Sequence, residues 1–254
     1  LELLGETEKG YFTMRAGSVT VNRVAGTLGH PNKLGMFLGM WLPINLSLIF
    51  APIPKHYKCM LIPSLLVILI ADILTLSRGA WLSLGVGGAI TLYWCLIKTT
   101  RNRILAGFLI TVTIGLTLSI AVLAVTPIKE RLFREDYGTA RLRIPLARLA
   151  LNMIKHKPLL GVGEGAFTAV SHKYDTTREA ISYSFPAPVH NSWLLIAAEL
   201  GIPALIIFMF FVGYIFTNIL RTAKSLSDAP ISYVGIGFFG GLSAWFFHQM
   251  VDYE

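Results

Sequence analysis

Charge is scarce in this sequence: only 14% of its 254 residues are Asp, Glu, Lys or Arg, whereas 54% are hydrophobic. No globular core of this length can bury so much apolar side chain, so the mean hydropathy of +0.62 excludes an ordinary soluble domain. Cysteine is nearly absent too. Cys59 and Cys95 offer neither a disulfide framework nor metal-ligand spacing, which leaves packing as their role. No secretory signal peptide is visible in these residues, and they hold no convincing internal repeat and no low-complexity tract. The chain opens Leu-Glu-Leu-Leu without an initiator Met, and the expectation is a piece of a longer protein whose missing part lies upstream.

What the sequence does have is long apolar runs. Six of them, near 34–52, 59–77, 80–97, 104–126, 191–220 and 231–251, are long enough at about 1.5 Å per residue to cross a hydrocarbon core of roughly 30 Å. They are continuously apolar and do not alternate, which marks helices and not barrel strands. The expected fold is an all-α integral membrane protein of about six transmembrane helices with a large external loop containing an amphipathic helix. The expected organisation is an external approach segment (1–33), four transmembrane helices (34–126), a large loop (127–190), and two transmembrane helices with a short tail (191–254).

Lys55 and Lys58, then Lys98, Arg101 and Arg103, then Arg221 and Lys224 cluster at helix ends, which places those three connections in the cytoplasm and the others outside. The long loop then lies outside although it carries ten Lys and Arg against six Asp and Glu. A loop of this length is exported despite positive charge, so its basicity calls for another explanation, and holding an anion is the natural one. The net charge of +8 is divided between the two sides and forms no single patch, which argues against nucleic acid as a partner.

Within the loop, Leu142, Leu146, Leu149, Met153 and Ile154 repeat at helical spacing and interleave with Arg141, Arg143 and Arg148. This predicts an amphipathic helix over 140–155, lying on or near the membrane and stopped by Pro158. Gly161, Gly163 and Gly165 predict a flexible turn; they resemble a phosphate-cradling fingerprint only superficially, because no βαβ context exists here. Between the second and third apolar runs, Leu-Ser-Arg78-Gly-Ala-Trp81 predicts a sharp reversal in which Gly79 supplies an unusual backbone angle and Arg78 is held at headgroup depth.

Each polar residue has a bland reading beside a functional one. Arg78 alone reads as an interfacial anchor, and Arg143 as a solvated or headgroup-facing charge. His190 follows Pro186 and Pro188 at the start of a helix, with Asn191 and Ser192 available as capping groups, so its imidazole is rigidly placed and suited to general-base work. Glu199, nine residues on, falls on the opposite face of a continuous helix and forms no dyad with His190; Gly201 and Pro203 invite a kink that lets it pair elsewhere. Asp72 is similarly ambiguous. His248 and Asp252 stand i and i+4, the spacing of a hydrogen-bonded pair on one helix.

Four segments together resemble the O-antigen ligase and O-antigen polymerase superfamily of bacterial membrane glycosyltransferases: Arg23-Val-Ala-Gly-Thr-Leu-Gly-His-Pro-Asn32, Leu74-Thr-Leu-Ser-Arg78-Gly-Ala-Trp, Arg143 through His156-Lys-Pro-Leu-Leu-Gly-Val-Gly163, and His190-Asn-Ser-Trp-Leu-Leu-Ile-Ala-Ala-Glu199-Leu-Gly. The closing His248-Gln-Met-Val-Asp-Tyr253 also fits. The chain is similar to the C-terminal half of such proteins. One departure is Ala147, where the family has an aromatic four residues after the loop arginine; Pro145 lies close by and leaves Arg141 as an alternative to Arg143.

The resemblance implies transfer of a glycan from an undecaprenyl-diphosphate carrier to an acceptor hydroxyl, such as that of lipid A core, on the periplasmic face of the bacterial inner membrane. It implies no cofactor and no metal. Arg78 and Arg143 match diphosphate-binding positions and His190 the catalytic base, with Arg23, Arg141, Arg148 and Glu199 as secondary candidates. Membrane lipids, the lipid-linked donor and the glycan acceptor are the expected partners. A polymerase of the same superfamily, an anion or solute transporter, and a noncatalytic assembly subunit are the competing readings.

Overall fold

The computed structural model describes residues 13–16, 19–100, 102, 104, 105, 107, 139–178, 180–225 and 229–252. A short antiparallel hairpin, β1 (Thr13–Ala16) and β2 (Val19–Asn22), pairs Thr13 with Asn22 and Ala16 with Val19. The helices among the described residues are α1 (Pro31–Phe50), α2 (Lys55–Leu74), α3 (Arg78–Thr100), α4 (Thr139–His156), α5 (Phe167–Val170), α6 (Ile181–Ser184), α7 (Ser192–Leu200), α8 (Ile202–Ser225) and α9 (Pro230–His248). Of these, α1, α2, α3, α8 and α9 are long and apolar enough to cross a membrane. The expected all-α membrane fold is what forms, and the small hairpin is a local addition to it. The apolar run at 104–126 lies almost wholly outside the described residues.

The chain divides into two units, residues 1–135 with 218–248 and residues 136–217 with 249–254. In the first, α1, α3 and α9 pack against one another and α2 runs along α1. Lipid tails are as apolar as leucine, so helices in a bilayer gain little by hiding apolar groups and associate through close backbone approach instead. Gly87 of α3 and Gly240 of α9 show how: a Cβ on Gly240 would collide with the Thr91 hydroxyl and the Gly87 carbonyl.

The reversal between α2 and α3 is built from side-chain hydrogen bonds. Thr75 Oγ1 donates to the Asp72 carbonyl (2.6 Å) and accepts from Ser77 N (3.2 Å), and Ser77 Oγ accepts from Ala80 N (3.3 Å) in the first turn of α3. The residue in the left-handed region is Leu76 (φ 50°), not Gly79 as the sequence led us to expect; Gly79 sits inside α3. A leucine there is strained, and it is held by the hydroxyl bonds on either side and by burial of its own side chain.

The second unit has a conventional apolar core. Leu146, Leu149, Ala150 and Met153 of α4 are wholly buried against Phe167, Ile181, Val189 and Ala198. The sequence located this apolar face correctly but assigned it to a membrane surface; it packs instead into the unit's own interior, because short segments downstream supply protein partners for it. Helix α4 runs from Thr139 straight through Pro145, so Arg143 lies within it.

The apolar run at 191–220 is two helices, not one. Gly201 (φ 88°) breaks it, and a Cβ there would strike the Leu159 carbonyl. Gly161, Gly163 and Gly165 all have positive φ. In this turn Val162 N donates to the Ala198 carbonyl and Gly163 N to the Glu199 carbonyl (both 2.9 Å), satisfying the last carbonyls of α7 that a helix leaves unpaired. Ile202 N, opening α8, donates to the Pro158 carbonyl (2.8 Å).

Candidate active site

Helix α7 begins with an Asn191 cap: its Oδ1 accepts from Leu194 N (2.9 Å) while its backbone is extended, as an N-cap requires. That cap fixes the residue before it, His190. The tail after α9 is then tied to the same place. Ser192 N donates to the Gln249 carbonyl (2.9 Å), Asn191 Nδ2 donates to the Met250 carbonyl (2.9 Å), and the Ser192 hydroxyl donates to Gln249 Oε1.

The result is that His190 Nδ1 lies 3.1 Å from Asp252 Oδ1. The Asp252 side chain is 7% exposed and the His190 side chain 25%. With Nδ1–H donating to the carboxylate, the ring is held in one orientation and Nε2 lies on its far side. The i, i+4 spacing of His248 and Asp252 suggests a pair on one helix; in the structure α9 ends at His248, whose Nδ1 faces Ser83, and Asp252 Oδ1 faces His190. The pairing that does form spans 62 residues and has no local signature.

The other sequence candidates have distinct settings. Arg78 is the first residue of α3, at the positive end of the helix dipole, where anions are favoured. Arg143 and Arg148 are exposed on α4. The side chain of Arg141 lies outside the described residues. Arg23 braces the end of α2: its Nε donates to the Thr75 carbonyl (2.8 Å) and an η nitrogen to Asn32 Oδ1 (2.9 Å). Glu199 Oε1 accepts from Phe167 N (3.0 Å) at the start of α5, a structural bond. His248 is buried, and its Nδ1 lies 3.3 Å from the Ser83 hydroxyl; because that hydroxyl sits 2.9 Å from the Ala80 carbonyl and donates to it, Nδ1–H is the donor to Ser83. Asp72 is also buried; its main-chain carbonyl accepts from Trp81 Nε1 (3.1 Å).

Electrostatics away from the membrane spans are clearest at Asp175. Burial acts to raise its pKa, but it is outweighed by hydrogen bonds to the charged form from the Thr177 hydroxyl (2.5 Å), Ser182 N (2.8 Å) and Thr177 N (2.8 Å), and the carboxyl falls to about 2. The bonded turn leads into α6, whose Ile181 belongs to the core beneath α4. Among the described residues, no three His, Cys, Asp or Glu side chains are grouped to hold a metal ion.

No curated protein and no solved structure matches the chain significantly. The family model described as O-antigen ligase matches residues 63–209, more than half of the sequence, a stretch that contains Arg78, Arg143, His190 and Glu199. The chain therefore belongs to the O-antigen ligase family and is a multi-pass membrane protein, a glycosyltransferase-like enzyme of the O-antigen ligase or polymerase type.

Proposed function

We propose that the protein is an O-antigen ligase of the bacterial inner membrane, transferring a glycan from undecaprenyl diphosphate to a hydroxyl of lipid A core on the periplasmic face. The observation that carries the reading is the contact between His190 Nδ1 and Asp252 Oδ1 at 3.1 Å. In the proposed step, His190 Nε2 removes the proton of the acceptor hydroxyl as its oxygen attacks the anomeric carbon. The bond from that carbon to the diphosphate oxygen breaks, configuration inverts, and undecaprenyl diphosphate leaves with the bonding electrons. Diphosphate needs charge stabilisation more than protonation, which an Arg guanidinium supplies through forked hydrogen bonds without losing its own charge. Arg78 and Arg143 are assigned that role, and the step uses no metal.

The test is glycan transfer from a lipid-linked donor by the complete protein carrying Asp252→Asn. The amide keeps the shape but no longer stabilises the imidazolium, and transfer is expected to fall by up to about 10⁴-fold, the scale of the equivalent change in a Ser-His-Asp site. Unchanged transfer removes the pair from the mechanism. A deletion strain distinguishes the two activities of the family. Polymer lost from lipid A with carrier-linked chains retained supports the ligase, whereas lipid A carrying single repeat units means a polymerase.

A further inference from the structure

The turn that follows α4 presents two exposed leucines: Leu159 is 69% exposed and Leu160 84%. They are neighbours of a membrane-spanning helix. Pro158 accepts the hydrogen bond from Ile202 N, the first residue of α8, and the Leu159 carbonyl is the group a side chain on Gly201 would strike. Two further residues of chain reach at most about 7 Å, so both leucines stay at the level where α8 begins. From there α8 runs as an apolar span with Ile207 and Phe210 exposed on it.

Charge lies close by in the chain: Lys155 and Lys157, two to five residues before the leucines, are exposed, with Glu164 as the acidic residue of the glycine turn. Apolar side chains next to two lysines, at the level where a spanning helix starts, match the chemistry of an anionic phospholipid surface, acyl chain below and phosphate above. The buried face of α4 is occupied by the unit's own core, so this is a different surface from the one its periodicity advertises.

We propose that Leu159 and Leu160 form a wedge that enters the bilayer beside the N-terminal end of α8, with Lys155 and Lys157 on the phosphates of anionic phospholipids. The wedge sets the height of the second unit over the membrane, and with it the depth at which His190 and Asp252 stand. It is independent of the reaction assigned to that pair.

The test uses the full chain in nanodiscs, with Cys59→Ser removing the exposed thiol and an environment-sensitive fluorophore attached through Leu160→Cys. In discs containing phosphatidylglycerol the emission is expected to shift to the blue, to be quenched by lipids spin-labelled near the headgroup, and to resist aqueous iodide. Emission as in buffer, quenched by iodide and not by the spin label, overturns the proposal. So does a blue shift without spin-label quenching accompanied by energy transfer between copies, which would make a second chain the occupant. Combining Lys155→Gln with Lys157→Gln is expected to reduce spin-label quenching to that seen in phosphatidylcholine discs; no change overturns the role of the lysines. Hydroxyl-radical footprinting of the unlabelled chain guards against a folding defect, since Leu159 and Leu160 should be protected in phosphatidylglycerol discs and modified if they face water.

Discussion

The two units differ in what dominates their packing. In the first, helices α1, α3 and α9 meet where side chains are smallest, and Gly87 and Gly240 bring backbones into contact. In the second, large side chains do the packing: Leu146, Leu149, Met153, Phe167 and Ile181 fill a core from which water is excluded. Membrane-spanning helices gain little by burying leucine against one another and must gain from fit, whereas burying a large apolar side chain away from water gains about 1.5–3 kcal/mol.

Each unit also holds a histidine against a polar partner, and the partners differ. His248 ends α9 facing the Ser83 hydroxyl. His190 precedes α7 facing a carboxylate and keeps a quarter of its side chain exposed. The proposed base is the histidine that combines partial exposure with a carboxylate neighbour.

The largest expected effect tests this second contrast. His190→Ala in the complete protein should lower glycan transfer by about 10²- to 10⁴-fold, the usual contribution of a general base, without loss of folded protein. Transfer at the level of the unaltered protein would erase the distinction between the two histidines. The packing contrast is tested next by substitutions to the same residue. Met153→Ala leaves a cavity in the second unit and should cost about 2–5 kcal/mol, measured by denaturant or thermal unfolding in detergent. Gly240→Ala adds a methyl group where the first unit has no space and should cost about 1–3 kcal/mol. If the larger residue is tolerated at 240, close backbone approach is not what joins α3 to α9.

The smallest effect is at Asp175, whose folded pKa of about 2 lies below its ordinary value of 3.8. A depressed carboxyl contributes stability that is present above the ordinary value and is lost as pH falls toward the folded one. Thermal stability should therefore decline between pH 4 and pH 2, and Asp175→Asn should flatten that decline while lowering stability at neutral pH. A decline as steep in the variant would assign the effect to other carboxyls.

How legible the molecule was in its sequence depended on the range of the interaction. The membrane-spanning runs, the apolar stripe of α4 and the Asn191 cap were readable because each is set by residues within one or two helical turns. The break at Gly201 was foreseen as a kink, but its cause, the Leu159 carbonyl pressed against Gly201 from 42 positions away, was not. Leu76 took the left-handed backbone in place of Gly79 because Thr75 and Ser77 bond around it, and propensity alone favours the glycine.

Sequence alone determined that the chain is a helical membrane protein, and it singled out Arg78, Arg143 and His190, because hydropathy and short motifs are local properties of the chain. Tertiary structure decided what those elements meet. It turned the stripe of α4 from the membrane into a protein core, and it brought Asp252 from the end of the chain to His190. Neither outcome could be read from spacing, since a stripe of leucines does not specify the apolar surface that will cover it, and a carboxylate acts on an imidazole through distance in space.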